Sequence, residues 1–199
     1  MPQITRLVFR AFIKLIMSLF GWSANPVFPK EATRCVLIAA PHTSNWDTFY
    51  MRMGMWVLNI PLKFTVKDDW TKFPLGIFMK PLGALGIDRS TKKGALARAS
   101  YVDQMADIIK NNDRIAMVVA AEGSRSLRKK WKMGFYHTAV KAEAPLCFGY
   151  LDYKKKEAGI GGVLYPTGNI AEDMKKIHDF YKNITPKFAD KFSLDERYI

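Results

Sequence analysis

The sequence predicts a single-domain α/β fold: a central mixed sheet flanked by helices, with an amphipathic helix at the N-terminus. Three observations carry this. Short continuous apolar runs such as "RCVLIAA", "RIAMVVAAEG" and "PLCFGYLDY" have the length of strands buried on both faces. Segments with helical spacing lie between them, and strands alternating with helices build one sheet with helices on its faces. No internal repeat, low-complexity tract or linker divides the 199 residues, a length that buries a full core as one domain.

Taken in order, a helix runs from Ile4 to Phe20 and "GWSANPVFP" breaks it, so that stretch reads as a connector. A strand follows at 34–40 and a helix from Trp46 to Leu58. "LKFTVK" (62–67) reads as strand, "DWTKFPLGIFMK" as a short broken helix and "ALGIDR" as strand. "GALARASYVDQMADIIKNN" (94–112) is the clearest amphipathic helix, stopped by Asn111-Asn112. "RIAMVVAAEG" then predicts strand, "MGFYHTAVKAEA" helix and "PLCFGYLDY" strand. "GIGGVLYP" is a weaker strand after the charged turn "KKKEAG", and residues 170–183 close with a helix.

Thirty-one Lys and Arg against eighteen Asp and Glu leave a net charge of +13, which calls for an anionic partner: nucleic acid, anionic lipid or phosphorylated small molecules. Cys35 and Cys147 sit in apolar runs and read as buried thiols, and the three histidines form no metal-ligand cluster with them. Arg6, Arg10 and Lys14 interrupt the apolar N-terminal segment, which excludes a spanning helix and fits a signal peptide badly. At about 100° per residue those cations form one stripe, opposite Ile4, Val8, Phe12, Leu15 and Leu19. With Trp22 beyond it, this is the pattern of an interfacial membrane helix. It is equally that of a helix packed on the core with its cations in solvent.

Three polar constellations fall at strand ends, where active residues of α/β folds concentrate. In "APHTSNWDTFY", His42 follows the strand at 34–40; Thr43, Ser44 and Asn45 suit a helix N-cap, and Asp47 suits the first turn beside the helix dipole. If the turn folds His42 towards Asp47, the carboxylate fixes the imidazole tautomer, as a general base requires; otherwise His42 is a core histidine satisfied by backbone. In "AAEGSRS" (120–126), Gly123 permits a tight turn, Ser124 and Ser126 offer hydroxyls, and Arg125 can bind a phosphate bidentately. Glu122 can hold the arginine or a substrate hydroxyl; the alternative is a surface turn with an exposed arginine, and Arg128, Lys129, Lys130 and Lys132 downstream favour an anion-binding floor. In "GIDRS" (86–90), Arg89 can supply a second guanidinium, or form with Asp88 the solvated pair usual at a strand end. His137 and His178 read as helical and surface residues of no catalytic consequence.

In order and spacing, these motifs resemble those of the glycerolipid acyltransferases, the lysophosphatidic acid acyltransferase family. His42 to Asp47 resembles its H-x-x-x-x-D motif, "GIDRS" its second, "EGSRS" its E-G-T-R-S third with Ser124 keeping the hydroxyl, and Pro145 its fourth. The resemblance covers about residues 35 to 150. It implies that His42 deprotonates an acceptor hydroxyl for attack on an acyl thioester and that Asp47 orients it. Arg89, Glu122, Gly123, Ser124, Arg125 and Lys130 would bind the acceptor, and Pro145 would shape the acyl-donor wall. It further implies no metal and no cofactor beyond the donor substrate, acyl-carrier protein or acyl-CoA. Residues 1–25 would be a membrane-docking helix and connector, 26–199 the acyltransferase domain, peripheral on the cytoplasmic side of the inner membrane and facing anionic lipid. The expected acceptor is a lysophospholipid such as 1-acyl-glycerol-3-phosphate, and related branches acylate amino-acid lipids or glycolipids instead.

Two other classes fit less well. A nucleic-acid-binding module would use the basic charge and tryptophans, but no nucleic-acid motif is present and the cations gather at strand-end turns. A hydrolase would need a nucleophile, and there is no G-x-S-x-G elbow; Ser44, two residues from His42, is poorly placed as its partner.

Overall fold

The computed structural model describes residues 3–87 and 94–199, with 94–100 described by their backbone alone. In chain order the elements are α1 (Gln3–Leu19), β1 (Ser23–Ala24), β2 (Arg34–Ala39), α2 (Asn45–Leu58), β3 (Leu62–Lys67), α3 (Gly76–Met79), β4 (Ala84–Ile87), α4 (Gly94–Lys110), β5 (Ile115–Ala120), α5 (Gly134–Ala142), β6 (Leu146–Asp152), β7 (Glu157–Leu164) and α6 (Ile170–Tyr181). The strands form one sheet in the order β1-β7-β6-β2-β5-β3-β4. β2, β3, β4, β5 and β6 run parallel, and β7 is antiparallel to β6, so the sheet is mixed.

Alternation along β2 divides the core. Cys35 and Leu37 face a layer made by α1 and α2, where Met17, Met51 and Met55 are buried. Val36 and Ile38 face the layer of α4, α5 and α6, where Met105, Phe135 and Tyr181 are buried. A central strand covered on both faces has to be apolar throughout, which is why "CVLI" reads as a continuous run.

Three features depart from the sequence reading. The connector after α1 contains a strand, since Ser23 and Ala24 pair with Glu157 and Ala158 of β7; a pairing of two residues is too short to leave a periodic signal. Trp22, read as an interfacial anchor, is buried, stacking on Tyr50 at 4.2 Å and meeting Tyr153 edge-on at 4.9 Å. His178 is buried rather than on the surface, and its Nε2 accepts a hydrogen bond from the backbone N–H of Asp195 at 3.3 Å.

α1 answers the remaining question in a way neither alternative anticipates. It packs on α2 through Ile13, Met17 and Phe9, and Arg10 turns inward to donate to the Val57 carbonyl at 2.9 Å. The row Ile4, Val8, Phe12, Leu15 and Leu19 is left facing solvent, with Ile4 and Leu19 each 77% exposed. The helix therefore has two apolar faces, one on the core and one uncovered. Among the described residues no helix is long and apolar enough to cross a membrane.

Candidate active site

Because β2, β5 and β6 are parallel, the turns after them meet at one edge of the sheet. His42 follows β2, Glu122 to Arg125 follow β5, and Tyr153 follows β6. Ser44 caps α2, accepting from the backbone N–H of Trp46, in a capping box with Asp47. One Asp47 oxygen, Oδ2, accepts from the backbone N–H groups of Thr43 at 2.7 Å and Ser44 at 2.8 Å, and lies 3.4 Å from Nδ1 of His42. The other, Oδ1, accepts from the Tyr153 hydroxyl at 2.6 Å. The turn does fold the imidazole towards Asp47, and Nε2 is the ring nitrogen left for a substrate.

Burial works to raise the Asp47 carboxyl, but hydrogen bonds from His42, Tyr153, Ser44 and Thr43 outweigh it and hold it below the ordinary aspartate value. It stays ionised and faces the proton on Nδ1. Burial next to that carboxylate pushes the Tyr153 phenol upward, which keeps it protonated as a donor.

Glu122 takes a different place from the one expected. It is buried, both carboxylate oxygens accept from the backbone N–H of His42 at 3.1 and 3.0 Å, and it does not reach the cavity. It holds the His42 backbone rather than Arg125 or a substrate hydroxyl. Burial raises its carboxyl to about 7, with the His42 N–H opposing that shift. Gly123 has φ of +66°, and its missing Cβ leaves room for the Lys132 side chain. The Ser124 hydroxyl is engaged within the turn, accepting from Arg128 Nε at 2.9 Å. Arg125 is exposed and donates through Nη1 to Asn45 Oδ1, which anchors one guanidinium nitrogen over the start of α2.

Of the other expected residues, Lys130 is exposed and absent from the cavity wall, whereas Lys132 lines it. Pro145 lies just before β6, where its carbonyl accepts from Val36 N at 3.0 Å. That is the opposite end of the parallel strands from His42, roughly 20 Å away at about 3.3 Å per residue, so Pro145 shapes no wall of this site. Arg89 lies outside the described residues.

A cavity of about 2170 Å³ runs from this turn cluster between α2 on one side and α4 and α5 on the other. Ordinary small-molecule sites enclose roughly 300–1,000 Å³. The sheet topology explains the size. β5 pairs with β2 from Ile115 to Ala120, but with β3 only at Ala116 and Met117. Beyond that point β3 and β5 part, and Phe64 and Thr65 of one face Val118, Val119 and Ala120 of the other across the cavity. One end is polar, with His42, Ser124, Arg125 and Lys132, and the other largely apolar, with Trp56, Phe64 and Leu82 around the Arg52 guanidinium. His137 of α5 also stands on the wall. Tyr153 went unnoticed in the sequence, since a tyrosine closing an apolar strand gives no signal of what it meets more than a hundred residues away. Among the described residues no cluster of His, Cys, Asp and Glu could hold a metal ion.

The family model described as Acyltransferase matches residues 27–149. The fold is similar to the crystal structure of the 1-acyl-sn-glycerophosphate (LPA) acyltransferase PlsC from Thermotoga maritima, with TM-score 0.55 and 15% sequence identity, covering 89% of this chain and 77% of that one. No curated protein sequence matches. The matched region takes in both the His42–Asp47 turn and the Glu122–Arg125 turn and spans more than half of the chain, which belongs to the Acyltransferase family.

Proposed function

We propose that this acyltransferase moves a fatty acyl group from an acyl thioester, carried by acyl-carrier protein or coenzyme A, to the hydroxyl of a lysophospholipid such as 1-acyl-glycerol-3-phosphate. The observation that carries the reading is a histidine–aspartate pair in the same cavity as Arg125 and Lys132, at the mouth of an apolar cleft. Nε2 of His42 takes the acceptor hydroxyl proton as its oxygen attacks the thioester carbonyl carbon. The carbon–sulfur bond then breaks, and the departing thiolate recovers the proton from the imidazolium. Asp47 stabilises that imidazolium through Nδ1. The two cations offer charge to an acceptor phosphate, and the cleft between β3 and β5 suits an acyl chain. The donor is a substrate and the reading calls for no further cofactor.

The working site on this reading is the cytoplasmic side of the inner membrane, with the uncovered row of α1 laid into the bilayer. The net charge of +13 favours anionic lipid, a phosphorylated acceptor and an acidic donor alike. Incubation with acyl-CoA or acyl-carrier protein and a panel of lysophosphatidate, lyso-amino-acid lipids and lyso-glycolipids, with products identified by mass, tests the acceptor. Diacylated phosphatidate as the main product supports the proposal. Acylation confined to a non-phosphorylated acceptor would remove the role given to Arg125 and Lys132.

A further inference from the structure

The crossover from β3 to β4 leaves five large apolar side chains in solvent between Trp70 and Phe78. Phe73 is 86% and Phe78 69% exposed, with Trp70, Leu75 and Ile77 each half exposed or more. Single exposed apolar residues are ordinary, but a contiguous set marks an interaction surface. The segment is firmly built. The Thr71 hydroxyl donates to the Asp68 carbonyl at 2.8 Å, and Gly76 N donates to the Lys72 carbonyl at 2.6 Å. A Cβ at Gly76 would collide with the Thr71 carbonyl oxygen, so the turn admits only glycine. A rigid turn that holds aromatic rings away from the core bears a hydration cost that something must relieve.

Its location identifies the occupant. Just after α3, the Leu82 carbonyl accepts from Arg52 Nη1 at 3.0 Å; the Arg52 guanidinium lies 4.6 Å over the Trp56 ring, and Trp56 meets Phe9 of α1 edge-on at 5.4 Å. These contacts join the crossover to α1 through α2. Leu82 and Phe64, beside it, line the apolar end of the cavity. Exposed Lys67, Lys72 and Lys80 surround the rings, with Lys67 paired to Asp69 at 2.5 Å and Lys72 to Asp68 at 2.7 Å. A second copy would bring together two chains each at +13, whereas an anionic bilayer attracts that charge, meets exposed Lys80 at its phosphates and takes the rings beneath them.

We propose that the Trp70–Phe78 crossover is a second bilayer-inserting ridge, which acts with α1 to seat the apolar end of the cavity on the membrane. This rests on the reading that the protein works at a bilayer, and the test separates the two claims. Full-length protein is mixed with phosphatidylcholine vesicles with and without phosphatidylglycerol, some carrying brominated acyl chains. The difference in tryptophan quenching between wild type and Trp70→Phe isolates the signal of Trp70. Binding of wild type with quenching of the Trp70 signal, and an about tenfold or greater loss of binding in Phe73→Ser/Phe78→Ser, supports the ridge. Wild-type binding with Trp70 unquenched overturns the ridge and leaves α1 as the anchor. Wild type that stays free of all vesicles overturns both claims. A wild-type dimer in sedimentation velocity that the double variant dissolves would assign the patch to a second copy instead and overturn the ridge.

Discussion

Replacing Glu122 by glutamine tests the electrostatics beneath the site. Glu122 is 1% exposed and its carboxyl is raised by burial to about 7, against an ordinary value of 4.5. The folded protein therefore holds a proton on this group over a pH range in which the unfolded chain has released it. Stability falls where the folded state binds more protons, so this penalty is absent below about pH 4.5, grows as pH rises, and is complete above about pH 7. The gap between those values corresponds to about 3 kcal/mol. Glutamine keeps an oxygen for the His42 N–H but cannot ionise. Its amide adds a buried donor without a partner, a cost of about 1–3 kcal/mol that does not vary with pH. Urea unfolding of both proteins at several pH values between about 5 and 8 should show the variant gaining on wild type as pH rises, by about 2–3 kcal/mol across the range. Parallel curves would show that Glu122 is ionised in the folded protein throughout, and that burial does not dominate its environment.

Three other perturbations follow from the same geometry. Tyr153→Phe removes the donor to Asp47 Oδ1; an about 1.5–3 kcal/mol loss in urea unfolding, together with a fall in kcat at unchanged acceptor KM, is the expected result. Asp47→Asn should lower kcat further and also weaken the start of α2, since Oδ2 serves two backbone N–H groups; unfolding and single-turnover kinetics on one sample measure both. Gly123→Ala puts a Cβ at φ of +66° and against Lys132, so a loss of about 1 kcal/mol or more and a raised KM for a phosphorylated acceptor are expected.

Much of the fold was legible because burial on both faces writes itself as apolar runs. β2, β5 and β6 read from composition alone, and the turns that follow them carry the polar residues of the site. His42 and Asp47 were legible together because capping chemistry and a short sequence separation put them on one turn. What escaped was non-local. Glu122 looked like a substrate ligand, and only the parallel pairing of β2 with β5 brings it to the His42 N–H. Pro145 follows a helix in a suggestive position, but strand direction sends it to the far end of the sheet. Lys130 and Lys132 are indistinguishable in a basic run, and it is the latter that fills the space over Gly123. The separation of β3 from β5, which opens the cavity, leaves no trace in either strand's own sequence.

The central claim is that His42 is the base that activates the acceptor hydroxyl. The most direct measurement is single-turnover release of thiol from an acyl thioester in the presence of lysophosphatidate, comparing wild type with His42→Ala at matched circular dichroism and unfolding midpoint. Losing a positioned base costs about 10²–10⁴-fold, so release coupled to diacyl product should fall by that amount. Transfer by His42→Ala at near the wild-type rate would contradict the account.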